Sequence, residues 1–184
     1  MSVSIEFDEW TASLHLNEPD QGGQVGKEPA GRMDFLREVF DAHGGPVPHA
    51  ALNTAWRERE LQLIAHAIAL VEADLRRTTT LTPLIEIRTL DDDVVAVTYN
   101  GSYQTPVLRS IRDPEAICEV ADNIRDQVVD ELLWSNHDEP WRAWPLCSRD
   151  GLYLDPLLID GQAVWHCRVG KHTISTIGQL PSVV

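Results

Sequence analysis

The sequence predicts an α+β protein with two N-terminal helices, a three-stranded antiparallel meander, an amphipathic helix and a three-stranded, zinc-ribbon-like tail. Three observations lead to this prediction. Apolar residues recur with the period of an α-helix in three segments. Two hairpin signals, Asn100-Gly101 and Asp160-Gly161, separate short apolar runs. With 184 residues, 43% of them hydrophobic, the chain can bury a core, which excludes disorder throughout.

Composition divides the chain into three segments. Residues 1–31 are predicted to be an N-terminal arm and a Gly/Pro linker, because residues 17–31 hold four glycines and two prolines. Alternating apolar and polar residues at 3–7 predict a short strand in the arm. Residues 32–140 are predicted to form the α+β body, and residues 141–184 a β-rich tail packed on it.

Two helices are predicted at the start of the body. Residues 33–43 present one apolar face and stop at Gly44. The second helix, at residues 48–77, would be about 45 Å long at about 1.5 Å per residue. A compact chain of this size has a diameter of about 32 Å. The helix is therefore expected to kink, to start later near Asn53, or to project its apolar stripe at residues 61–75 into a second subunit of a homodimer.

Short apolar runs predict the strands. The meander strands are predicted at residues 84–90, 94–99 and 102–108. Pro106 places the third strand at an edge or at a strand end. The tail strands are predicted at residues 157–159, 163–165 and 173–177.

The clearest helix covers residues 113–134. Asp113 is its candidate N-cap, and Pro114 suits the first helical position. Because a three-stranded sheet needs a cover, we expect the apolar stripe of this helix to pack on the meander. The stripe consists of Ile117, Val120, Ala121, Ile124, Val128 and Leu132.

The charge balance is strongly acidic, with 15 basic and 29 acidic residues and a net charge of −14. This sign argues against direct nucleic-acid binding and against binding to an anionic membrane surface. We expect a basic protein partner instead. The candidate partner-binding residues recur every three or four positions on the outer face of the helix at 113–134: Glu115, Glu119, Asp122, Asp126 and Asp130. A solvated helix face in an acidic protein is the simpler explanation of the same pattern.

Cysteine usage and the N-terminal residues predict the compartment. The first ten residues carry no positive charge and no apolar core of signal-peptide length. The apolar-rich stretch at residues 61–71 is interrupted by Gln62 and His66, so it is not expected to span a membrane. With three cysteines and no export signal, we predict a reducing cytoplasm.

Cys147, Asp150, Cys167 and His172 form a candidate metal site. The pattern is C-x2-D followed by C-x4-H, with nineteen residues between the two cysteines, so that two tight turns can present two ligands each to a tetrahedral zinc ion. His166 is a substitute ligand, although it points away from its neighbour Cys167 if both lie in a strand. Asp150 stands where histidine or cysteine is usual. The sequence therefore favours two reduced, metal-free thiols and leaves zinc as the alternative.

Four short motifs in the last third of the chain are W-P-L-C at 144–147, W-H-C at 165–167, G-K-H at 170–172 and I-G-Q-L at 177–180. They resemble the C-terminal end of small uncharacterised actinobacterial proteins, in which the pattern is W-P-x-C-P-x-H, W-x-C, G-H and I-G-x-L. This chain has Asp150 where those relatives have their first histidine. The resemblance implies no known activity.

Common enzyme motifs are absent from the sequence, which contains no G-x-S-x-G, no P-loop and no H-E-x-x-H. We therefore predict a non-catalytic, acidic interaction protein of the inhibitor, immunity or chaperone kind, with no catalytic residues assigned. The alternative is a small enzyme or a nucleic-acid-associated protein that uses the zinc-ribbon-like tail.

Overall fold

The computed structural model describes residues 2–14, 31–90, 95–101, 105–106, 112–135 and 144–182. Within these residues the fold is α+β, with four helices and two antiparallel sheets, so the predicted class is confirmed. The chain divides into two compact units. The first consists of residues 1–62 and 110–112, and the second of residues 63–109 and 113–184.

The first unit begins with helix α1, Ser2–Ser13. The predicted strand at residues 3–7 is therefore wrong. Phe7 and Trp10, which lie three residues apart, are both buried, and their ring centroids lie 5.3 and 5.4 Å from that of Phe40. This helical spacing outweighs an alternating pattern of only five residues.

Helix α2, Arg32–His43, packs in the same unit and ends as predicted at Gly44. Gly44 has a φ of 71°, and the N–H of Gly45 donates to the carbonyl oxygen of Phe40. These are the left-handed residue and the backbone hydrogen bond that commonly terminate a helix. The predicted linker at residues 17–31 lies almost wholly outside the described residues.

Helix α3, His49–Thr78, is a continuous helix of 30 residues, so it does not start near Asn53. The division between the two units falls within it. Its apolar stripe in the second unit is already buried by the single chain: Leu63, Ile64, Ala67, Ile68, Val71 and Leu75. This stripe therefore no longer argues for a homodimer, and the oligomeric state stays a prediction.

The first sheet pairs β1, Ile85–Thr89, with β2, Val95–Tyr99, and β2 with the two-residue strand β3, Thr105–Pro106. Every residue of β2 is buried, as expected for the central strand. Asn100 and Gly101 both have positive φ, 49° and 72°, in agreement with the hairpin signal. The first two predicted strands are confirmed, and the rest of the predicted third strand lies outside the described residues.

The second sheet consists of β4, Asp155–Ile159, β5, Gln162–Cys167, and β6, His172–Thr176, paired in chain order. Asp160 and Gly161 form the two-residue turn between β4 and β5, with φ values of 50° and 75°. The predicted strands are confirmed, because each lies within an observed strand or extends one residue beyond it. The polar break predicted at residues 136–140 lies outside the described residues.

Helix α4, Asp113–Ser135, contacts β2 of the first sheet and β4 and β5 of the second. Val120, Ile124 and Val128 are fully buried, which confirms the predicted packing on the meander. The buried Gln127 adds a polar connection that the sequence did not predict. Its Oε1 accepts from the N–H of Tyr99 at 2.9 Å, and its Nε2 donates to the carbonyl oxygen of Val97 at 3.3 Å.

A buried carboxylate joins α3 to the C-terminal residues. Asp74, fully buried, accepts from Trp165 Nε1 at 2.7 Å, from the N–H of Gly178 at 2.6 Å and from the N–H of Leu180 at 2.8 Å. Burial raises the pKa of Asp74, and these three hydrogen bonds oppose the rise. Trp144 packs edge-to-face on Trp165, with 5.6 Å between ring centroids. These two tryptophans therefore belong to a core.

The described helices include none with the length and apolar character that a membrane span requires. The predicted boundaries between arm, body and tail, at 31/32 and 140/141, adjoin or fall in ranges outside the described residues. They stay predictions.

Candidate metal centre

The first turn of the site lies between two short extended segments. Leu146 pairs with Tyr153, and the N–H of Cys147 donates to the carbonyl oxygen of Leu152 at 2.7 Å. Gly151 closes the turn with a φ of 67°, and the N–H of Asp150 donates to Cys147 Sγ at 3.4 Å. The turn thus directs a thiol and a carboxylate to the same side.

The second turn connects β5 to β6, and its geometry repeats that of the first. Cys167 pairs with His172 across the strands, and Lys171 takes a φ of 51° to make the bend. The N–H of Gly170 donates to Cys167 Sγ at 3.4 Å. In both turns, therefore, the backbone N–H three residues after the cysteine donates to its sulfur. Such hydrogen bonds favour the thiolate, which is the metal-binding form.

The four side chains converge. Cys147 Sγ lies 3.4 Å from His172 Nε2 and donates to Asp150 Oδ2 at 3.5 Å. Cys167 Sγ donates to the same Oδ2 at 3.2 Å, and His172 Nε2 lies 3.8 Å from it. The four candidate ligand atoms all lie within 4.8 Å of one another.

These distances match the dimensions of a zinc shell. A tetrahedral zinc ion with bonds of about 2.0–2.3 Å separates neighbouring ligand atoms by about 3.3–3.8 Å. Four of the six separations between the ligand atoms, 3.2, 3.4, 3.5 and 3.8 Å, cover almost the same interval, and all six are within 4.8 Å. The group could therefore hold a metal ion with little movement of its side chains.

Proton positions in the site follow from the same contacts. Hydrogen bonds from Cys167 and then from Cys147 lower the pKa of Asp150. At Cys167, the N–H of Gly170 lowers the pKa of the thiol, but desolvation, Asp150 and Cys147 together raise it. A metal ion binds thiolates, so its binding would release any protons that the two thiols carry.

Burial differs among the four ligands. Both cysteines are buried, whereas the side chains of His172 and Asp150 are 22% and 35% exposed. Solvent therefore reaches the centre of the group from the imidazole and carboxylate side.

Asp150, and not His166, completes the group. His166 is not a member of the cluster found among the described residues, and its Nδ1 is buried without a hydrogen-bond partner. It precedes Cys167 in β5, so its side chain points to the other face of the sheet. The third cysteine, Cys118, lies on α4, where burial and then Glu115 raise the pKa of its thiol to about 11.

The candidate partner-binding residues do not form a uniformly exposed surface. Asp122, Asp126 and Asp130 are exposed, and Glu115 and Glu119 are half-buried. Arg125 compensates part of this charge, since its guanidinium lies 2.7 Å from Asp122 and 2.8 Å from Asp126. The same guanidinium reaches Asp155 of β4 at 3.0 Å, a contact that the sequence could not indicate across 30 positions.

Comparisons of the chain with family models, with curated proteins and with solved structures find no match. The interpretation of the site therefore rests on the geometry of its own residues.

Proposed function

We propose that the protein binds one zinc ion through Cys147, Asp150, Cys167 and His172, and that this ion has a structural role. The supporting observation is the convergence of four ligand atoms from two turns of matching geometry. Two thiolates and an imidazole suit zinc better than magnesium or calcium, which prefer oxygen ligands. A four-residue ligand set that leaves no position for water is typical of structural sites.

The ion would cross-link two turns that are far apart in sequence. Cys147 and Asp150 precede β4, and Cys167 and His172 flank the turn between β5 and β6. Because such a site does not exist in the unfolded chain, its binding free energy adds to the stability of the fold.

Metal analysis of matched cysteine variants tests this proposal. We expect about one zinc per chain in the purified protein and a sulfur-to-metal charge-transfer band when Co²⁺ replaces zinc. Cys147→Ser should abolish both signals and lower the thermal midpoint. Cys118→Ser is the matched control and should retain both. A zinc content far below one equivalent, or equal loss in the two variants, would contradict the proposal.

We propose further that the zinc-stabilised chain is a non-catalytic, acidic interaction protein that binds a basic protein partner. The support is the net charge of −14 together with the exposure of Asp122, Asp126 and Asp130 on α4. Complementary charge accelerates encounter and selects a basic partner over an acidic one. We expect such a partner in the cytoplasm.

Charge-matched variants test the partner surface. Immobilised protein is exposed to extract of the source organism, and the captured proteins are compared between Asp122→Asn/Asp126→Asn/Asp130→Asn and a control. The control triple variant removes the same charge from exposed positions of the first unit: Glu38→Gln, Asp41→Asn and Glu58→Gln. A basic protein captured by wild type and control but lost by the α4 variant supports the proposal. Equal capture by both triple variants would reject this face.

The second candidate function is nucleic-acid association through the tail. One observation favours it. The two turns that present the candidate ligands, residues 147–151 and 168–171, are called the metal turns here. They carry the exposed cations Arg149 and Lys171, and exposed apolar side chains such as Val169 and Tyr153 lie in or next to them in sequence. Aromatic side chains and cations together can bind single strands. A labelled single-stranded DNA whose binding weakens steeply with salt, and weakens further in Arg149→Gln/Lys171→Gln, would favour this candidate over the first.

A further inference from the structure

We infer that Gly170 is the positioning residue of the metal centre: it contacts three of the four ligands and leaves the space that two of them occupy. This inference rests on the proposed zinc site. Gly170 lies in the turn between β5 and β6, two residues before His172 and three after Cys167.

The first argument is space. A methyl group on Gly170 would overlap Asp150 Oδ2 and the ring carbon Cε1 of His172, and it would lie 2.6 Å from His172 Nδ1. Real side-chain carbons do not approach their neighbours so closely. The missing side chain therefore provides the space in which the carboxylate and the imidazole meet.

The second argument is hydrogen bonding by the Gly170 backbone. Its N–H donates to Cys167 Sγ at 3.4 Å, and its carbonyl oxygen lies 3.1 Å from His172 Nδ1. A carbonyl can only accept, so Nδ1 carries the proton and Nε2 is free to bind a metal. Nε2 is the atom that lies 3.4 Å from Cys147 Sγ.

The third argument concerns backbone conformation. Gly151 and Gly161 have φ values of 67° and 75°, which favour glycine whatever surrounds them. Gly170 is not among the described glycines of positive φ. Alanine could adopt its backbone conformation, so the need for glycine here comes from the ligands.

A single methyl group tests the inference. Gly170→Ala should weaken zinc binding about tenfold or more, the range for residues that orient metal ligands. Affinity is measured by competition with a chromophoric chelator. The matched control is Val169→Ala, which alters a side chain 72% exposed in the same turn and should leave the affinity unchanged. Zinc affinity within about twofold of wild type in Gly170→Ala would overturn the inference.

A double-mutant cycle identifies the cause. In an Asp150→Gly background the carboxylate no longer needs the space, so Gly170→Ala should cost a smaller factor in zinc affinity than it costs in wild type. An equal or larger factor in that background would show that Gly170 does not act through space for Asp150, and would overturn this part of the inference.

Failure of the zinc proposal itself is distinguishable, because one readout needs no metal. In metal-free protein, the ¹⁵N chemical shifts of His172 report which ring nitrogen carries the proton. We expect protonated Nδ1 in wild type and in Val169→Ala, and a mixture of tautomers in Gly170→Ala. Wild type that takes up no zinc would reject the proposed function alone. Identical imidazole shifts in the three proteins would reject the role of Gly170.

Discussion

Single residues attach the second sheet, β4–β5–β6, to the rest of its unit, and Asp74 is the clearest example. It makes hydrogen bonds to Trp165, Gly178 and Leu180, which are 91, 104 and 106 positions away in sequence. No periodicity or spacing connects an aspartate in a long helix to donors at such distances. Its role therefore could not be predicted from the sequence.

Replacing Asp74 should be among the most destabilising changes in the second unit. Asp74→Ala leaves three donors without an acceptor, each at a cost of about 1–3 kcal/mol when buried, so we expect a loss of at least about 3 kcal/mol. Asp74→Asn keeps one acceptor oxygen and should lose less. Urea unfolding gives both values. A loss below about 1 kcal/mol in Asp74→Ala would show that water or other groups satisfy these donors.

The candidate metal ligands, which also belong to the scale of single residues, could be predicted only in part. Spacing alone brought Cys147, Cys167 and His172 together, and alternation along a strand separated His166 from its neighbour. The sequence favoured metal-free thiols because an aspartate is an unusual fourth ligand. What it could not show is that Asp150 Oδ2 lies within 3.8 Å of all three other ligand atoms.

At the scale of elements, helices with long stripes and clear ends were predicted well. The prediction at 113–134 matches α4, because two independent signals indicate the same helix. A six-residue apolar stripe gives its period, and Asp113-Pro114 gives its start. The prediction at 3–7 failed because it used five residues and no end signal. The five residues did not include Trp10, which is buried together with Phe7 and so reveals the three-residue spacing of a helix.

The contact between α4 and β2 depends on a polar side chain as well as on apolar packing. Gln127 is buried and satisfies the N–H of Tyr99, a backbone donor of a fully buried strand. Gln127→Ala should therefore destabilise the protein by about 1–3 kcal/mol.

The matched control for this contact is Asn123→Ala, one turn earlier on α4, where a half-buried side chain is removed. It should change the unfolding free energy by about 0.5 kcal/mol or less. Thermal unfolding of the two variants provides the comparison. Equal effects would mean that the hydrogen bond to Tyr99 contributes nothing beyond the removal of side-chain volume.

At the scale of the whole molecule, the acidic charge and the candidate metal centre belong to different segments of the chain. The acidic residues of α4 are part of a chain with a net charge of −14, whereas the metal turns carry exposed arginine and lysine. The sequence could predict this unequal distribution from composition. The sequence also indicated Arg125 as the compensating charge near Asp122 and Asp126, but it could not predict that the same guanidinium contacts Asp155 of β4.

Contacts within the second unit limit how many of its residues should lose structure when the metal is removed. The sheet β4–β5–β6 has two attachments that do not involve the metal: α4 contacts β4 and β5, and Trp165 of β5 donates to Asp74 of α3. A chelator should therefore release the two metal turns without unfolding the sheet.

Hydrogen exchange with and without a chelator measures which amides lose protection when the metal is removed. Amides of residues 147–151 and 168–172 should lose protection when zinc is removed, because the sulfurs that accept from the N–H groups of Asp150 and Gly170 become neutral thiols, which are weaker acceptors than thiolates. Amides of β5 and α4 should exchange at nearly unchanged rates, since their hydrogen bonds and apolar contacts do not involve the metal. Loss of protection throughout β4, β5 and α4 would mean that the ion supports the whole second unit, and that Asp74 and α4 cannot hold the sheet without it.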